Sequence, residues 1–190
     1  MITNILRKIP VLFVFVCALA GCRQTVDVQF DSSVSDYTPV VREILENHPD
    51  GNITLRFDKG VYPFYPEKAP EEFLNVSNND SGNKLVAFLL KNMKNVRIIG
   101  NETDFMFHGR MTPLAVKGSE NVEISGISID YDYPWTFEGK VLSNDPVNRS
   151  FVVKVFPDSK YRIVGDRLLF SGYDWEYPMG ESIVFDPSTH

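Results

Sequence analysis

The sequence has few of the residues that form disulfide bonds in small extracellular proteins or that bind metals. It has two cysteines in 190 residues, Cys17 and Cys22, and both precede the body of the chain, which therefore has no thiol for a disulfide. Its three histidines, His48, His108 and His190, are too scattered to indicate a metal site. A phosphate-binding loop, a nucleophile elbow and a His-Glu-x-x-His motif are also missing from the sequence. We therefore expect neither a metal nor a cofactor.

The sequence also has fewer positively charged than negatively charged side chains. The chain has 19 Lys and Arg against 25 Asp and Glu, a formal net charge of −6 at pH 7. An acidic surface is repelled by phosphate groups, so the sequence predicts no nucleic-acid partner.

The first 21 residues have the pattern of a bacterial lipoprotein signal. Arg7 and Lys8 precede an uncharged apolar run that is too short to span a bilayer, and Leu-Ala-Gly then leads to Cys22. We expect a signal peptide over 1–21, a lipid on Cys22 and a polar tether over 22–35. This places the protein in the cell envelope, anchored to the outer membrane with a periplasmic or surface location. An ordinary signal peptide followed by a chance cysteine is the alternative.

A strand and its turn occur twice in the middle of the chain. Asn95–Gly100 returns 26 residues later as Asn121–Gly126, with the shared pattern Asn-Val-x-Ile-x-Gly. Such a recurrence is typical of coiled β arrays, whose turns stack on one another. With an amphipathic helix beginning at Thr38-Pro39, it predicts an all-β fold in which 36–135 forms right-handed parallel β-helix coils behind a short cap helix. Four apolar side chains are expected in the solenoid core: Ile98, Phe105, Phe107 and Ile124.

The pattern changes after Pro134. Two pairs of alternating runs, one pair joined at 143–148 and the other at Gly165-Asp166, predict antiparallel hairpins, and Ser182–Phe185 predicts one more strand. We expect an incomplete, barrel-like antiparallel subdomain over 136–190. Because no second capping element follows, the chain is expected to be the N-terminal part of a longer protein, with the missing C-terminal part as its partner.

The best local group for chemistry is the segment Asp130-Tyr131-Asp132-Tyr133-Pro134-Trp135. On a strand, Asp130 and Asp132 point to the same side. Two carboxylates can accept sugar hydroxyl hydrogens, and the Trp135 ring can stack on the C–H face of a pyranose. The alternatives are solvated strand-end carboxylates with a Trp packed at a domain junction, or a glycosidase acid/base pair.

The segment His108-Gly109-Arg110 follows the Phe105/Phe107 strand. His108 can donate to a sugar hydroxyl, and Arg110 can pair with a carboxylate on a neighbouring coil. A purely structural His at a strand end is the alternative.

Several segments together resemble glycoside hydrolase family 110, the α-1,3-galactosidases best known from gut Bacteroidetes. The run at 107–114, which contains His-Gly-Arg-Met, is the most specific of them. The resembling segments are Phe-Asp-Lys-Gly-Val-Tyr at 57–62, Val-Ser-Asn-Asn-Asp at 76–80, Phe-His-Gly-Arg-Met-Thr-Pro-Leu at 107–114 and Ser-Ile-Asp-Tyr at 128–131.

The resemblance implies an exo-acting, inverting, metal-free hydrolase that removes terminal α-1,3-linked galactose from a glycan. It also implies a β-helix with inserted β-barrels, and catalytic carboxylates beyond His190, so no catalytic residue is assigned in this chain. The expected substrate-binding residues are His108, Arg110, Asp130, Asp132 and Trp135. A polysaccharide lyase and a non-catalytic, glycan-binding surface protein remain as alternatives.

Overall fold

The structure is a computed structural model that describes residues 25–77, 80–180, 182–186 and 188–189. The predicted signal peptide over 1–21, Cys22 and His190 therefore lie outside the described residues. The chain is mostly β and divides into two compact units. The first runs up to Phe107 and again over Met111–Asp130, and the second comprises His108–Arg110 and Tyr131–His190.

The first unit contains one α-helix, a 3-10 turn at Pro66–Lys68 and eight strands within the described residues. Helix α1 spans Thr38–Asn47, has Pro39 in its first turn and buries Thr38, Val41 and Leu45. The strands are β1 Val26–Phe30, β2 Gly51–Phe57, β3 Gly60–Phe64, β4 Glu71–Leu74, β5 Gly82–Lys91, β6 Lys94–Phe107, β7 Thr112–Lys117 and β8 Glu120–Tyr131.

Pairing of the core strands in this unit is parallel and in register. Strand β2 lies between β1 and the first half of β6, and β3 pairs with the second half of β6. Strand β8 pairs with β6, and β5 pairs in parallel with β7. Parallel partners cannot be joined by a tight hairpin, so the chain has to travel some distance between paired strands.

An asparagine ladder explains the first position of the repeat. Asn52, Asn95 and Asn121 each have a backbone φ of 55–56°, in the left-handed region that Asn tolerates better than most residues. The Asn95 side-chain amide donates to Asn52 Oδ1 at 2.9 Å, and the Asn121 amide donates to Asn95 Oδ1 at 2.6 Å. The three turns are therefore tied to one another through their side chains.

The other positions of the repeat are explained by burial and close approach. Val96 and Ile98 are fully buried, as the alternation predicts. A Cβ atom on Gly100 would lie 2.3 Å from the Gly126 carbonyl oxygen, and one on Gly126 would lie 2.1 Å from the Gly100 oxygen. Only glycine allows these two backbones to approach so closely.

Aromatic rings fill the centre of the first unit. Phe30 and Phe57 are register partners and their rings stack at 4.4 Å. Phe64 and Phe107 are also partners and stack at 5.0 Å. Parallel, in-register pairing places equivalent side chains directly beside one another, so the same residue type recurs on neighbouring strands.

Two predictions for this unit differ from the structure. Ile124, predicted in the core with Ile98, Phe105 and Phe107, has 37% of its surface exposed, because no described strand covers the inner side of β8. The segment predicted as a tether contains β1, whose Val28 and Phe30 are buried against the sheet. Its alternation of Val-Asp-Val-Gln-Phe is a strand pattern within a polar stretch.

The second unit is antiparallel in the part of the chain that the structure describes. Strand β9, Gly139–Asp145, pairs with β10, Ser150–Val155, and β11, Tyr161–Val164, pairs with β12, Arg167–Ser171, so both predicted hairpins are present. Strand β13, Glu176–Pro178, adds to β12. Residues 182–185, predicted as a strand, have no regular structure.

Within the described ranges, no helix combines the length and the apolarity that crossing a bilayer requires.

The asparagine ladder predicts a specific loss of stability. Asn95→Ala removes both ladder hydrogen bonds. It also places alanine at φ 56°, a backbone conformation that alanine tolerates less well than asparagine. We expect the free energy of unfolding to fall by about 2 kcal/mol, measured by urea denaturation. Asn95→Gly relieves the backbone strain alone, so it should recover part of this loss.

Asn101→Ala is the matched control, because Asn101 is exposed on the same strand and lies outside the ladder. We expect it to change stability by less than about 0.5 kcal/mol. Equal stability of the Asn95→Ala and Asn101→Ala chains would show that the ladder contributes nothing.

Candidate functional site

Four of the five predicted site residues lie in the second unit. They are His108, Arg110, Asp132 and Trp135, whereas Asp130 is the last residue of the first unit. Strand β8 ends at Tyr131, so Asp132 lies one residue beyond the strand on which it was predicted. The alternation of side chains holds only while the strand continues.

His108 and Asp132 form a hydrogen-bonded pair. His108 Nδ1 lies 2.7 Å from Asp132 Oδ2, and the two side chains are 16% and 20% exposed. The edge of the Tyr173 ring packs on the imidazole, with ring centroids 5.9 Å apart. The carboxylate therefore fixes the orientation of the imidazole, because the nitrogen facing a carboxylate carries the proton.

The other oxygen of Asp132 is an acceptor in a nearly dry position. Asp132 Oδ1 is buried and accepts no hydrogen bond from the residues that the structure describes. A buried carboxylate oxygen is costly unless a donor reaches it. A hydroxyl group supplied by a ligand would satisfy this requirement.

Arg110 is held by a carboxylate that sequence reasoning missed. Its backbone N–H donates to Asp174 Oδ1 at 3.0 Å, and its Nε lies 3.6 Å from Asp174 Oδ2. Its Nη1 donates to the Tyr177 hydroxyl at 2.9 Å. The expected carboxylate partner of Arg110 therefore exists, but it comes from the antiparallel unit and not from a neighbouring coil.

Between these two residues, Gly109 has φ 68°. A Cβ atom there would lie 3.0 Å from both Asp174 and the Tyr173 ring. The glycine of the His-Gly-Arg run thus allows the backbone to bend and the turn to approach.

The partners of the His-Gly-Arg run come from the turn Gly172-Tyr173-Asp174-Trp175, which we call the 172–175 turn. It connects β12 with β13 and is closed by a hydrogen bond from Gly172 N–H to the Trp175 carbonyl at 2.9 Å. Tyr173 contacts His108, and Asp174 holds Arg110. The sequence carried a signal for it, since two aromatic residues in a tight turn are unusual where small polar residues normally occur.

Trp135 belongs to an aromatic group in the same unit. Its ring stacks on Trp175 with centroids 6.0 Å apart and meets the edge of Tyr131 at 5.9 Å. Trp175 is 8% exposed, whereas Trp135 is 44% exposed. Burial raises the pKa of Tyr131, and its hydrogen bond with Trp135 partly offsets that effect. Trp135 is therefore held from two sides while much of its ring faces solvent.

An ion pair fixes the strands beside the turn. Arg162 Nε and Nη2 donate to the two carboxylate oxygens of Glu176, both at 2.7 Å. The guanidinium lowers the pKa of Glu176, and the carboxylate raises the pKa of Arg162. A bidentate pair of this kind orients β11 and β13 relative to the intervening strand β12.

No group of three or more His, Cys, Asp or Glu side chains that would suit a metal ion occurs among the described residues. What the arrangement offers chemically is one imidazole, two carboxylates, a guanidinium and stacked aromatic rings. These groups bind neutral polyhydroxylated molecules, through hydroxyl hydrogen bonds and C–H contacts with the rings.

Comparison with known proteins supports a relationship over most of the chain. Residues 137–190 match the family model described as GLAA-B β-barrel domain I. The chain is 36% identical over 142 residues to alpha-1,3-galactosidase B of Akkermansia muciniphila, which covers 73% of this chain and 18% of that protein.

Two further relatives carry the same name. Alpha-1,3-galactosidase B of Phocaeicola vulgatus is 40% identical over 140 residues, covering 72% of this chain and 23% of the relative. Alpha-1,3-galactosidase B of Bacteroides thetaiotaomicron is 29% identical over 190 residues, covering 91% of this chain and 30% of the relative. The chain therefore spans less than a third of the length of these curated relatives, and the resemblance found in the sequence is confirmed.

The 172–175 turn yields a prediction. A Cβ atom on Gly172 would lie 2.3 Å from Trp175 Nε1, so Gly172→Ala must displace the indole or the turn. We expect a clear change in the near-ultraviolet circular dichroism of the tryptophans and a loss of about 1–3 kcal/mol in stability.

Gly180→Ala is the matched control, because a Cβ atom on Gly180 meets nothing within 4 Å. Its spectrum and stability should equal those of the wild type. If Gly172→Ala gives the wild-type spectrum as well, the close packing of Trp175 over Gly172 is incorrect.

Proposed function

We propose that this chain, which belongs to the α-1,3-galactosidase family, forms the N-terminal region of an exo-acting glycosidase that hydrolyses terminal α-1,3-linked galactose with inversion. The observation that carries the proposal is the joining of the family-specific His-Gly-Arg run to Asp132 and Asp174 in one polar group. The names of the relatives supply the reaction.

The fold that we propose is a right-handed parallel β-helix with an inserted antiparallel barrel. Strands β2 and β3 would form two sides of one coil, and the two halves of β6 the same sides of the next, with β8 following. Strands β5 and β7 would form the third side. Parallel crossovers within one sheet are nearly always right-handed, which supports the proposed hand.

In this proposal the described residues bind substrate and do not perform the chemistry. Inversion requires a general acid and a general base about 6.5–9.5 Å apart, with a water molecule between the base and the sugar. Here Asp132 is paired with His108, and Asp174 is paired with Arg110. Both carboxylates already serve as positioning groups, so we propose that the catalytic carboxylates belong to a part of the protein beyond His190.

The binding role assigned to each group follows from its hydrogen-bonding capacity. Asp132 Oδ1 would accept a hydrogen bond from a sugar hydroxyl once substrate binding uncovers it, and the half-exposed Arg110 guanidinium would donate to a sugar oxygen. His108 would act by orienting Asp132. A non-catalytic glycan-binding protein is the second candidate, which the exposure of Trp135 favours.

The proposed setting is the cell envelope. The segment Leu19-Ala20-Gly21-Cys22 supports a lipid anchor on Cys22, on the periplasmic or surface face of the outer membrane. Such a location would bring the enzyme to glycans that a bacterium meets outside its cytoplasm.

The anchor predicts the outcome of a fractionation experiment. Cys22→Ser removes the thiol that would take the acyl chains, so the chain should move from the membrane to the soluble fraction. Cys17→Ser is the matched control, because it changes the other cysteine within the apolar run and should leave the chain in the membrane. A Cys22→Ser chain that loses its signal and still sediments with membranes would contradict the anchor.

The enzymatic proposal predicts a difference between two lengths of protein. A form extended to the natural end of the open reading frame should cleave a terminal α-1,3-galactosyl substrate, and residues 23–190 alone should not. In the extended form, Asp132→Asn should raise KM by about tenfold with a smaller effect on kcat, because it removes a binding contact worth roughly 1.5 kcal/mol.

His48→Gln is the matched control, since His48 directly follows helix α1 in the first unit and bonds to the Ile44 carbonyl. It should leave both constants unchanged. Turnover by residues 23–190 would mean that the active centre lies within them. An extended form that cleaves no such substrate would refute the proposed reaction.

A further inference from the structure

Both tryptophans of the chain lie in one row of stacked rings. Trp135 stacks on Trp175 with centroids 6.0 Å apart and ring planes 16° apart, and Trp175 stacks on Tyr177 at 5.9 Å and 22°. We call these three residues the aromatic row. Its middle ring is buried and its two end rings are about half exposed, Trp135 by 44% and Tyr177 by 50%.

The aromatic row is rigid. The Phe137 ring lies 5.8 Å from Trp175 and stacks at 3.8 Å on Phe170, which is buried. The edge of Tyr131 supports Trp135, and Gly172 allows the Trp175 indole to lie directly over the backbone. Rings held in place before a ligand arrives lose little conformational entropy on binding, so the exposed faces are preorganised.

Polar groups flank one end of the aromatic row. The Tyr177 hydroxyl accepts a hydrogen bond from Arg110 Nη1, and Arg110 pairs with Asp174. A continuous series of contacts therefore leads from the open Trp135 face through Trp175 and Tyr177 to a charged pair.

The exposed Trp135 ring matches the apolar surface of a galactopyranose. The axial 4-hydroxyl of galactose leaves the C–H groups of C3, C4 and C5 together on one face, which suits an indole ring, and the hydroxyls project around the rim. A glucopyranose has an equatorial 4-hydroxyl, and its apolar faces are less continuous.

We propose that the aromatic row is a binding platform for a galactosyl unit of the glycan, with Trp135 as the main stacking surface, and that Arg110 and Asp174, at the opposite end of the row, bind hydroxyls of another unit of the same glycan. This proposal says where the proposed enzyme would bind its glycan, and the choice of galactose as the sugar rests on the proposed function. The platform adds Trp175, Tyr177 and Asp174 to the residues that the sequence indicated.

The test uses the intrinsic fluorescence of the full 190-residue chain. Because Trp135 and Trp175 are its two tryptophans, the whole tryptophan signal comes from the platform. Galactosyl-α-1,3-galactose should shift the emission and protect Trp135 from quenching by acrylamide, and maltose should do so much less. Saturation-transfer NMR, which needs no variant, should show the strongest transfer to the C3, C4 and C5 protons of galactose.

Variants of Trp135 test whether its ring is the binding surface. Trp135→Ala should weaken binding of the disaccharide by at least about tenfold, as expected for loss of a central aromatic contact. Trp135→Phe keeps an aromatic face and should retain measurable binding, which guards against a folding defect in the alanine variant. Phe151→Ala is the matched control, because Phe151 is another exposed aromatic residue, on β10 and outside the aromatic row, and it should bind like the wild type.

Three results would overturn the platform: no protection by the disaccharide, equal protection by maltose, or unchanged affinity in Trp135→Ala. This readout is independent of hydrolysis. Turnover by the extended protein without binding at Trp135 would refute the platform and leave the proposed reaction standing. Binding at Trp135 without turnover by the extended protein would refute the proposed reaction and leave the platform standing.

Discussion

Every feature of the first unit depends on the requirement that neighbouring parallel strands turn at the same position. The side chains of Asn52, Asn95 and Asn121 meet that requirement by bonding to one another where the backbone enters the left-handed region. Once these turns are aligned, the register of the strands follows, and with it the stacking of equivalent rings such as Phe30 on Phe57. The core is thus a consequence of the turns, because alignment decides which side chains meet.

The polar site joins residues that are distant in the chain. His108 directly follows the last residue of β6, and Asp132 directly follows the last residue of β8, the strand paired with β6. His108 Nδ1 and Asp132 Oδ2 lie 2.7 Å apart. The antiparallel unit then contributes Asp174 through the 172–175 turn. All of these side chains therefore belong to the second unit, although they lie far apart in the chain.

The sequence predicted those elements that can be recognised from a short stretch of residues. The repeat, helix α1 and the two hairpins are patterns of six to ten residues, and the structure contains all of them. It did not reveal β1 within a polar stretch or the exposure of Ile124, because each depends on which strands lie alongside. Register and covering layers are long-range properties that alternation alone does not encode.

For the site, the residue types were predictable and the partners were not. His108, Arg110 and Asp132 stood out because they end strands, but Asp174 lies 64 positions from Arg110 in the chain. The predicted placement of Asp132 on the strand of Asp130 has the same origin, since the alternation was extended one residue past the end of β8. Side chains in turns are aimed by the local backbone, which only the folded structure supplies.

The spacing of the asparagine ladder has an evolutionary implication. Asn95 follows Asn52 by 43 residues, whereas Asn121 follows Asn95 by 26, yet both pairs are joined by the same amide contact. The longer interval accommodates the 3-10 turn at Pro66–Lys68 and strand β4 without a change of register. Alignment at one turn leaves the rest of the path between paired strands free in length, so new loops can be added there while the strand pairing persists. A fold of this kind can acquire new binding surfaces by insertion, with its scaffold unchanged.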